Sequence, residues 1–334
     1  MLKKFLLGLA GLLVVIALGF YLYVQMNWDK VYDYPYPELT ASTDSATIAY
    51  GKYLVHGPAH CSNCHVPGIK EMIAADGGEN IPLIGGIRFP MGPLGSISPA
   101  NLTPDPETGI GRYKDGEIFR MMRHTVKPDG TATLSLFMPF WNMADEDLVA
   151  VVSYLRSMEP RTNKIEPPQW TFMGKAIRVF APSFKPIEQP TPPPKAPPMA
   201  PTKERGEYLS RYVANCVGCH TKHDPMTYAA IGSEYAGGEE FEPFPPFNEA
   251  LGLDPNLGIR SVNITPHPNS ALSRFKSLEE WIARFRQGRV IKHSPMHWGP
   301  FSRMSDEDLE ALWIYLNSLE PVENDIKEIV FLRE

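Results

Sequence analysis

From Phe5 to Val24 the chain runs through twenty residues without a charge. In a helix that length spans about 30 Å, the thickness of a bilayer's hydrocarbon core. Lys3 and Lys4 precede the run, and Phe20, Tyr21, Tyr23 and Trp28 crowd its far end, where aromatic rings suit a membrane–water interface. A cleaved signal peptide would have a shorter apolar region ending in small residues. The bulky end predicts instead an uncleaved transmembrane helix within residues 1–28, its amino end held in the cytoplasm by the two lysines.

Beyond the run the pattern becomes mixed. Residues 29–44, with Tyr32, Tyr34, Pro35, Tyr36 and Pro37, show no helical period and read as an extended tether. Ser45 to Val55 reads as a short helix capped by Ser45. Gly77-Gly78 and Gly85-Gly86 break the section that follows. A second helix starts at Asp115 as its cap, with Ile118, Met121, Met122 and Thr125 on one face. A third covers Asp145 to Met158, with Leu148, Val151, Val152 and Leu155 at helical spacing.

The same order then recurs. Gly51-Lys52-Tyr53-Leu54 returns 155 positions later as Gly206-Glu207-Tyr208-Leu209. Asn101-Leu102-Thr103-Pro104 returns after 162 as Asn263-Ile264-Thr265-Pro266, and Asp145-Glu146-Asp147-Leu148 after 161 as Asp306-Glu307-Asp308-Leu309. Tyr154-Leu155 returns as Tyr315-Leu316. Collinear blocks at nearly one offset predict tandem domains, at 45–160 and 204–323, with a tail at 324–334. In each, a glycine of the first helix is expected to let an aromatic helix cross closely: Gly51 with Tyr154, Gly206 with Tyr315. Ser305 and Asp308 form a capping box before the last helix. Ala144 stands where Ser305 does, so the first copy's last helix is expected to fray more easily, by about 1 kcal/mol of lost capping.

Between the copies lies 161–203. Trp170, Phe172, Met173, Ile177, Val179 and Phe180 are too apolar for a free linker and predict a short helix packed on one or both domains. Pro190 to Pro198 is polyproline-like and reads as a stiff spacer that could hold two cofactors at a set separation. The 32 basic against 38 acidic side chains, a net charge of −6, and the lack of a basic stripe argue against nucleic acid as a partner.

The four cysteines fall in two pentapeptides, Cys61-Ser62-Asn63-Cys64-His65 and Cys216-Val217-Gly218-Cys219-His220. CxxCH is the attachment pattern of c-type haem. Two thiols three positions apart can each join one porphyrin edge, and the next histidine can reach the iron. Zinc would need four ligands, and no further cysteine exists to complete either site. The motifs therefore predict two covalently bound haem c groups, on Cys61, Cys64 and His65 and on Cys216, Cys219 and His220. An exported chain whose only cysteines serve CxxCH has no disulfide framework.

A second axial ligand sets what such an iron does: methionine raises the potential, and an open site invites peroxide chemistry. The candidates are Met138 and Met143 in the first copy and Met296 and Met304 in the second, with His124, His293 and His297 behind them. Met138 and Met296 flank prolines in irregular stretches and are taken as the distal ligands, so that the metal ligands are His65, Met138, His220 and Met296. Met143 and Met304 align at the helix offset and read as apolar staples under the last helix. His124 is expected at the surface or facing a propionate, and Trp141 and Trp298 as crevice walls or core.

The blocks Gly51–Leu54, Asn101–Gly111 and Met143–Leu148 before Tyr154-Leu155 resemble the class I cytochrome c family in tandem, close to membrane-anchored dihaem cytochromes c and to cytochrome subunits of membrane dehydrogenases that oxidise alcohols or sugar acids. The resemblance covers roughly 45–160 and 204–322. It implies an all-α fold around each haem, with a proximal histidine and a distal methionine; for electron transfer no catalytic residue is expected. Those dehydrogenase subunits usually carry three haem domains, against two motifs here. The expected function is electron transfer from a respiratory or dehydrogenase donor to an oxidase or soluble carrier, in a larger complex. The expected location is the inner membrane, with the haem domains in the periplasm. The alternative is a dihaem peroxidase or thiosulfate-oxidising dihaem enzyme.

Overall fold

The computed structural model describes residues 1–224, 227–242 and 244–333. It is mostly helical, 43% helix and 7% strand. Helix α1 (Leu2–Asn27) is long and apolar enough to cross a membrane and is bare of packing until its last turns, where Val24 is buried. The first half then gives α2 (Ser45–His56), α3 (Ile69–Asp76), α4 (Asp115–His124) and α5 (Asp145–Ser157). Helix α6 (Phe172–Phe180) stands between the halves. The second half gives α7 (Lys203–Tyr208), α8 (Cys216–Cys219), α9 (Pro245–Leu251), α10 (Leu278–Arg286), α11 (Trp298–Phe301) and α12 (Asp306–Asn317). A π-helical stretch, Leu209–Val213, prolongs α7.

The expected helices form, with two corrections to their starts. Asp44, not Ser45, caps α2: its carboxylate accepts from the Thr47 N–H at 2.8 Å. Asp115 lies inside α4 and instead accepts from Arg156 and from the Ala41 N–H. On α5, Leu148, Val151, Val152 and Leu155 are all buried in one core, which continues through Leu209, Val213, Leu309, Leu312 and Leu316 of the second half.

An all-α expectation needs amending. Two three-stranded antiparallel sheets occupy matching places: β1 (Phe89–Pro90), β2 (Gly95–Ile97) and β3 (Gln169–Trp170), then β4 (Glu240–Phe241), β5 (Leu257–Arg260) and β6 (Val330–Leu332). Each third strand comes from chain beyond the last helix of its half, so the expected tail at 324–334 is partly a strand on β5; Glu334 lies outside the described residues. Such short strands leave too few alternating positions to show in the sequence.

Helix α2 crosses α5 and α7 crosses α12 where the sequence placed them. A Cβ on Gly51 would run into the Ala150 carbonyl oxygen and the Tyr154 Cβ, and one on Gly206 into the Ala311 carbonyl and the Tyr315 Cβ. Backbone cannot yield as a side-chain tip can. Gly206→Ala is expected to cost about 1–3 kcal/mol or more by overpacking, read as a lower midpoint in urea unfolding followed by circular dichroism.

The halves are joined by a reciprocal exchange. The Tyr53 hydroxyl of α2 donates to Asp308 of α12 at 2.6 Å and accepts from the Ser305 N–H at 3.2 Å. The Tyr208 hydroxyl of α7 donates to Asp147 of α5 at 2.7 Å and accepts from the Ala144 N–H at 3.0 Å. Each half thus completes the start of the other's last helix. Ala144 carries no side-chain cap, and the Tyr208 bond to its N–H is matched by that of Tyr53 to Ser305, so the two last helices still differ by one side-chain cap. The expected capping box needs correcting. Ser305 does cap α12, accepting from the Asp308 N–H, but the Asp308 carboxylate turns to Arg205 and Tyr53. The spacing of the halves is set by these direct contacts rather than by the proline spacer, which lies on the protein through Thr191 N–H to Asn142 and Arg205 to the Pro197 carbonyl.

Candidate functional site

The two CxxCH segments form similar turns, a 3-10 turn at Cys61–Asn63 and an α-helical turn at Cys216–Cys219. Each is entered through a left-handed residue, His60 (φ 43°) or Asn215 (φ 52°). Each closes a tight turn in which the histidine N–H reaches the first cysteine's carbonyl, His65 to Cys61 at 3.0 Å and His220 to Cys216 at 2.8 Å. All four cysteines are free. Burial pushes the Cys61 and Cys216 thiols up to about 12 and that of Cys64 to about 11. Among the described residues there is no group of three or more His, Cys, Asp or Glu side chains that could hold a metal ion by themselves.

The histidines are set alike. His65 Nδ1 lies 2.8 Å from the Ala100 carbonyl oxygen, and His220 Nδ1 2.8 Å from that of Val262. A carbonyl only accepts, so Nδ1 carries the proton and Nε2 keeps its lone pair, the form that ligates iron. Burial also lowers both imidazoles below the usual histidine range, against the backbone hydrogen bond that raises them. This gives the repeated Asn-x-Thr-Pro block its job. The carbonyl just before each Asn holds the histidine, and the Asn locks the loop. Asn101 Oδ1 accepts from the Thr103 N–H and hydroxyl at 2.9 and 2.8 Å, and Asn263 does the same for Thr265. Gly85 and Gly237, both at positive φ, donate their N–H to the carbonyls of His65 and His220. A Cβ on either would strike the loop that holds the imidazole.

The distal candidates separate by burial. Met143 is 0% exposed and Met304 2%. Each is pinned by an arginine that donates to its carbonyl and pairs with the first acid of the next helix, Arg123 with Asp145 and Arg286 with Asp306. Met138 and Met296 lie at the margin of the core, half-buried. His124 is not at the surface: it is buried, bonds the Ile187 carbonyl at 2.7 Å and packs on Tyr34, so it ties tether to linker. Trp298 contacts the Phe285 ring and carries the Arg284 guanidinium over its own ring.

One contact had no signal in the repeat. His60, next to Cys61, stacks on His297, next to Met296, with centroids 4.1 Å apart and planes 13° from parallel. Phe301 meets both rings edge-on. Beside them Asp76 of α3 pairs with Arg289 at 2.8 Å and accepts from the Gly299 N–H, and Arg303 donates to the His56 and Ala75 carbonyls. The start of the first CxxCH segment and the Met296 segment of the second half are therefore in direct contact.

No protein-family model matches the chain. Curated relatives do. The cytochrome c subunit of an alcohol dehydrogenase (quinone) from Gluconacetobacter polyoxogenes is 29% identical over 302 residues, covering 85% of this chain and 58% of the relative. The gluconate 2-dehydrogenase cytochrome c subunit of Pantoea cypripedii is 28% identical over 316 residues, covering 87% and 63%. The chain is similar to cytochrome c subunits of dehydrogenases. A dihaem c-type cytochrome of Cereibacter sphaeroides is 25% identical over 321 residues, covering 95% of this chain and 98% of its own length. The chain thus spans about 58% of the length of the alcohol dehydrogenase subunit, while it matches the dihaem cytochrome nearly end to end.

Proposed function

We propose that the chain is a membrane-anchored dihaem c-type cytochrome that passes electrons, as a subunit of a larger respiratory or dehydrogenase complex. The observation that carries this is the duplicated CxxCH turn with its histidine Nδ1 held by a backbone carbonyl, in a chain similar to cytochrome c subunits. Cys61, Cys64 and His65, and Cys216, Cys219 and His220, would hold the two haems, with Met138 and Met296 as distal ligands. Bound haem supplies a one-electron couple whose potential follows axial ligand and burial. The protein's own part is to keep each imidazole neutral and aimed, through Ala100 and Val262, and to keep the two sites together, through His60 and His297. The two haem domains would be 45–160 and 204–323, in the periplasm, with α1 in the inner membrane. A methionine available in each half favours electron transfer over peroxide chemistry.

The test uses the full chain in detergent. Reduced-minus-oxidised spectra should show c-type bands, and a soluble c-type carrier should reduce and reoxidise both haems. Peroxide turnover without a partner would contradict the reading.

A further inference from the structure

Helix α6 packs on the first half, as expected of it, and on the end of α1 as well. It sits between the first half and the end of α1. Phe172 and Phe180 contact the Phe20 ring, Phe172 also stacks on Tyr21 at 5.3 Å, and Phe180 on Tyr23 at 6.1 Å. Lys175 donates to Gln25 at 3.0 Å and lies over the Trp28 ring at 4.6 Å. Arg178 donates to the Trp28 carbonyl and to the Ala132 carbonyl of the first half. Gly174 and Val179 are buried, and a Cβ on Gly174 would strike the Leu94 carbonyl. Helix α6 is thereby fixed at the level where the chain leaves its apolar span.

The face that meets α1 is only partly covered by it. Phe172, Met173, Ile177 and Phe180 fall on one stripe at 3.6 residues per turn and are 40%, 53%, 37% and 56% exposed. That stripe is continuous with the exposed apolar surface of α1 through the Phe20, Tyr21 and Tyr23 contacts. Aromatic and apolar side chains on a short amphipathic helix, with cationic groups on the flank, are what an interfacial helix presents to lipid.

We propose that α6 lies in the membrane interface, with Phe172, Met173, Ile177 and Phe180 among the upper acyl chains of a phospholipid bilayer. The inference rests on α1 crossing the membrane. The chain after α1 is also pinned: Tyr32 N–H donates to the Gly130 carbonyl at 2.8 Å, and the Ala41 N–H to Asp115 at 2.8 Å. With α1 and α6 both in lipid and the tether fastened, the first half is held at one attitude to the membrane rather than swinging from a tether.

The test places a photoreactive residue in the full chain, in nanodiscs of phosphatidylethanolamine and phosphatidylglycerol. Met173→p-benzoylphenylalanine is compared with the same change at Leu13, within the apolar run, and at Ile231, an exposed position of the second half. Each variant is first checked for unaltered haem spectra. Irradiation and mass spectrometry should give phospholipid adducts at Leu13 and Met173 and none at Ile231. Adducts at Leu13 without any at Met173, or Met173 joined to a second copy of the chain, overturn the interfacial placement and leave the span intact. No adduct at Leu13 overturns the span and, with it, this inference.

Discussion

Asp308→Asn is expected to lower the unfolding free energy by about 3–5 kcal/mol, the cost of leaving a buried charge without its partner. The Asp308 and Arg205 side chains are both 0% exposed. Arg205 meets Asp308 with two parallel bonds, Nε to Oδ1 at 2.8 Å and Nη2 to Oδ2 at 2.9 Å. Asparagine keeps the shape but removes the countercharge. Asp147, the matching residue of the first half, should behave oppositely. Tyr50 stands where Arg205 does, and burial holds the Asp147 carboxyl above the usual range although the Tyr208 hydrogen bond and the Arg205 charge pull it down. A carboxyl whose folded pKa is raised binds protons more readily folded than unfolded. Its stabilisation is full below the unfolded value and is lost as pH rises through the folded one. Asp147→Asn should therefore match or exceed the wild type at pH 7 and flatten this part of the pH dependence. Urea unfolding of both variants at pH 4 to 8 reads the contrast; equal losses at pH 7 would contradict it.

Met296→His is expected to lower the potential of one haem only, by on the order of 100 mV, a fraction of the roughly 0.8 V that axial ligands command. Histidine in place of methionine donates more strongly to ferric iron and removes the weak red-edge absorption of methionine ligation. Met138→His should do the same for the other haem. Met143→Leu and Met304→Leu should leave both potentials in place, because those side chains fill the core, and should cost under about 1.5 kcal/mol as near-isosteric swaps. A spectroelectrochemical titration distinguishes the sets. If Met304→Leu moved a potential and Met296→His did not, the distal assignment in the second half would be reversed.

What the sequence showed and hid follows from how a repeat carries information. The CxxCH spacing is local, so both turns could be located, and Gly51 and Gly206 could be matched to Tyr154 and Tyr315 because each contact stays within one half. Tyr53 and Tyr208 recur just as faithfully, yet each serves the other half; recurrence at one offset does not say on which side of an interface a side chain lands. The hold on His65 and His220 comes from the carbonyls of Ala100 and Val262, and a carbonyl leaves no mark on residue identity. The His60–His297 stack and the Asp76–Arg289 pair break the repeat and so had no partner position to point to them. Helix α6 was legible as a helix from its apolar residues, but not its neighbour, because an aromatic stripe fits a protein core and the end of a membrane span equally well.

The most direct test counts haems on the denatured chain. Pyridine haemochrome spectra and haem-linked peroxidase staining after denaturing electrophoresis should give two covalent haems per chain. One should remain in Cys61→Ser/Cys64→Ser, one in Cys216→Ser/Cys219→Ser, and none when all four are changed. Two haems lost with either pair, or Cys216 and Cys219 recovered as unmodified thiols from the wild type, would contradict a chain built of two halves that each bind their own haem.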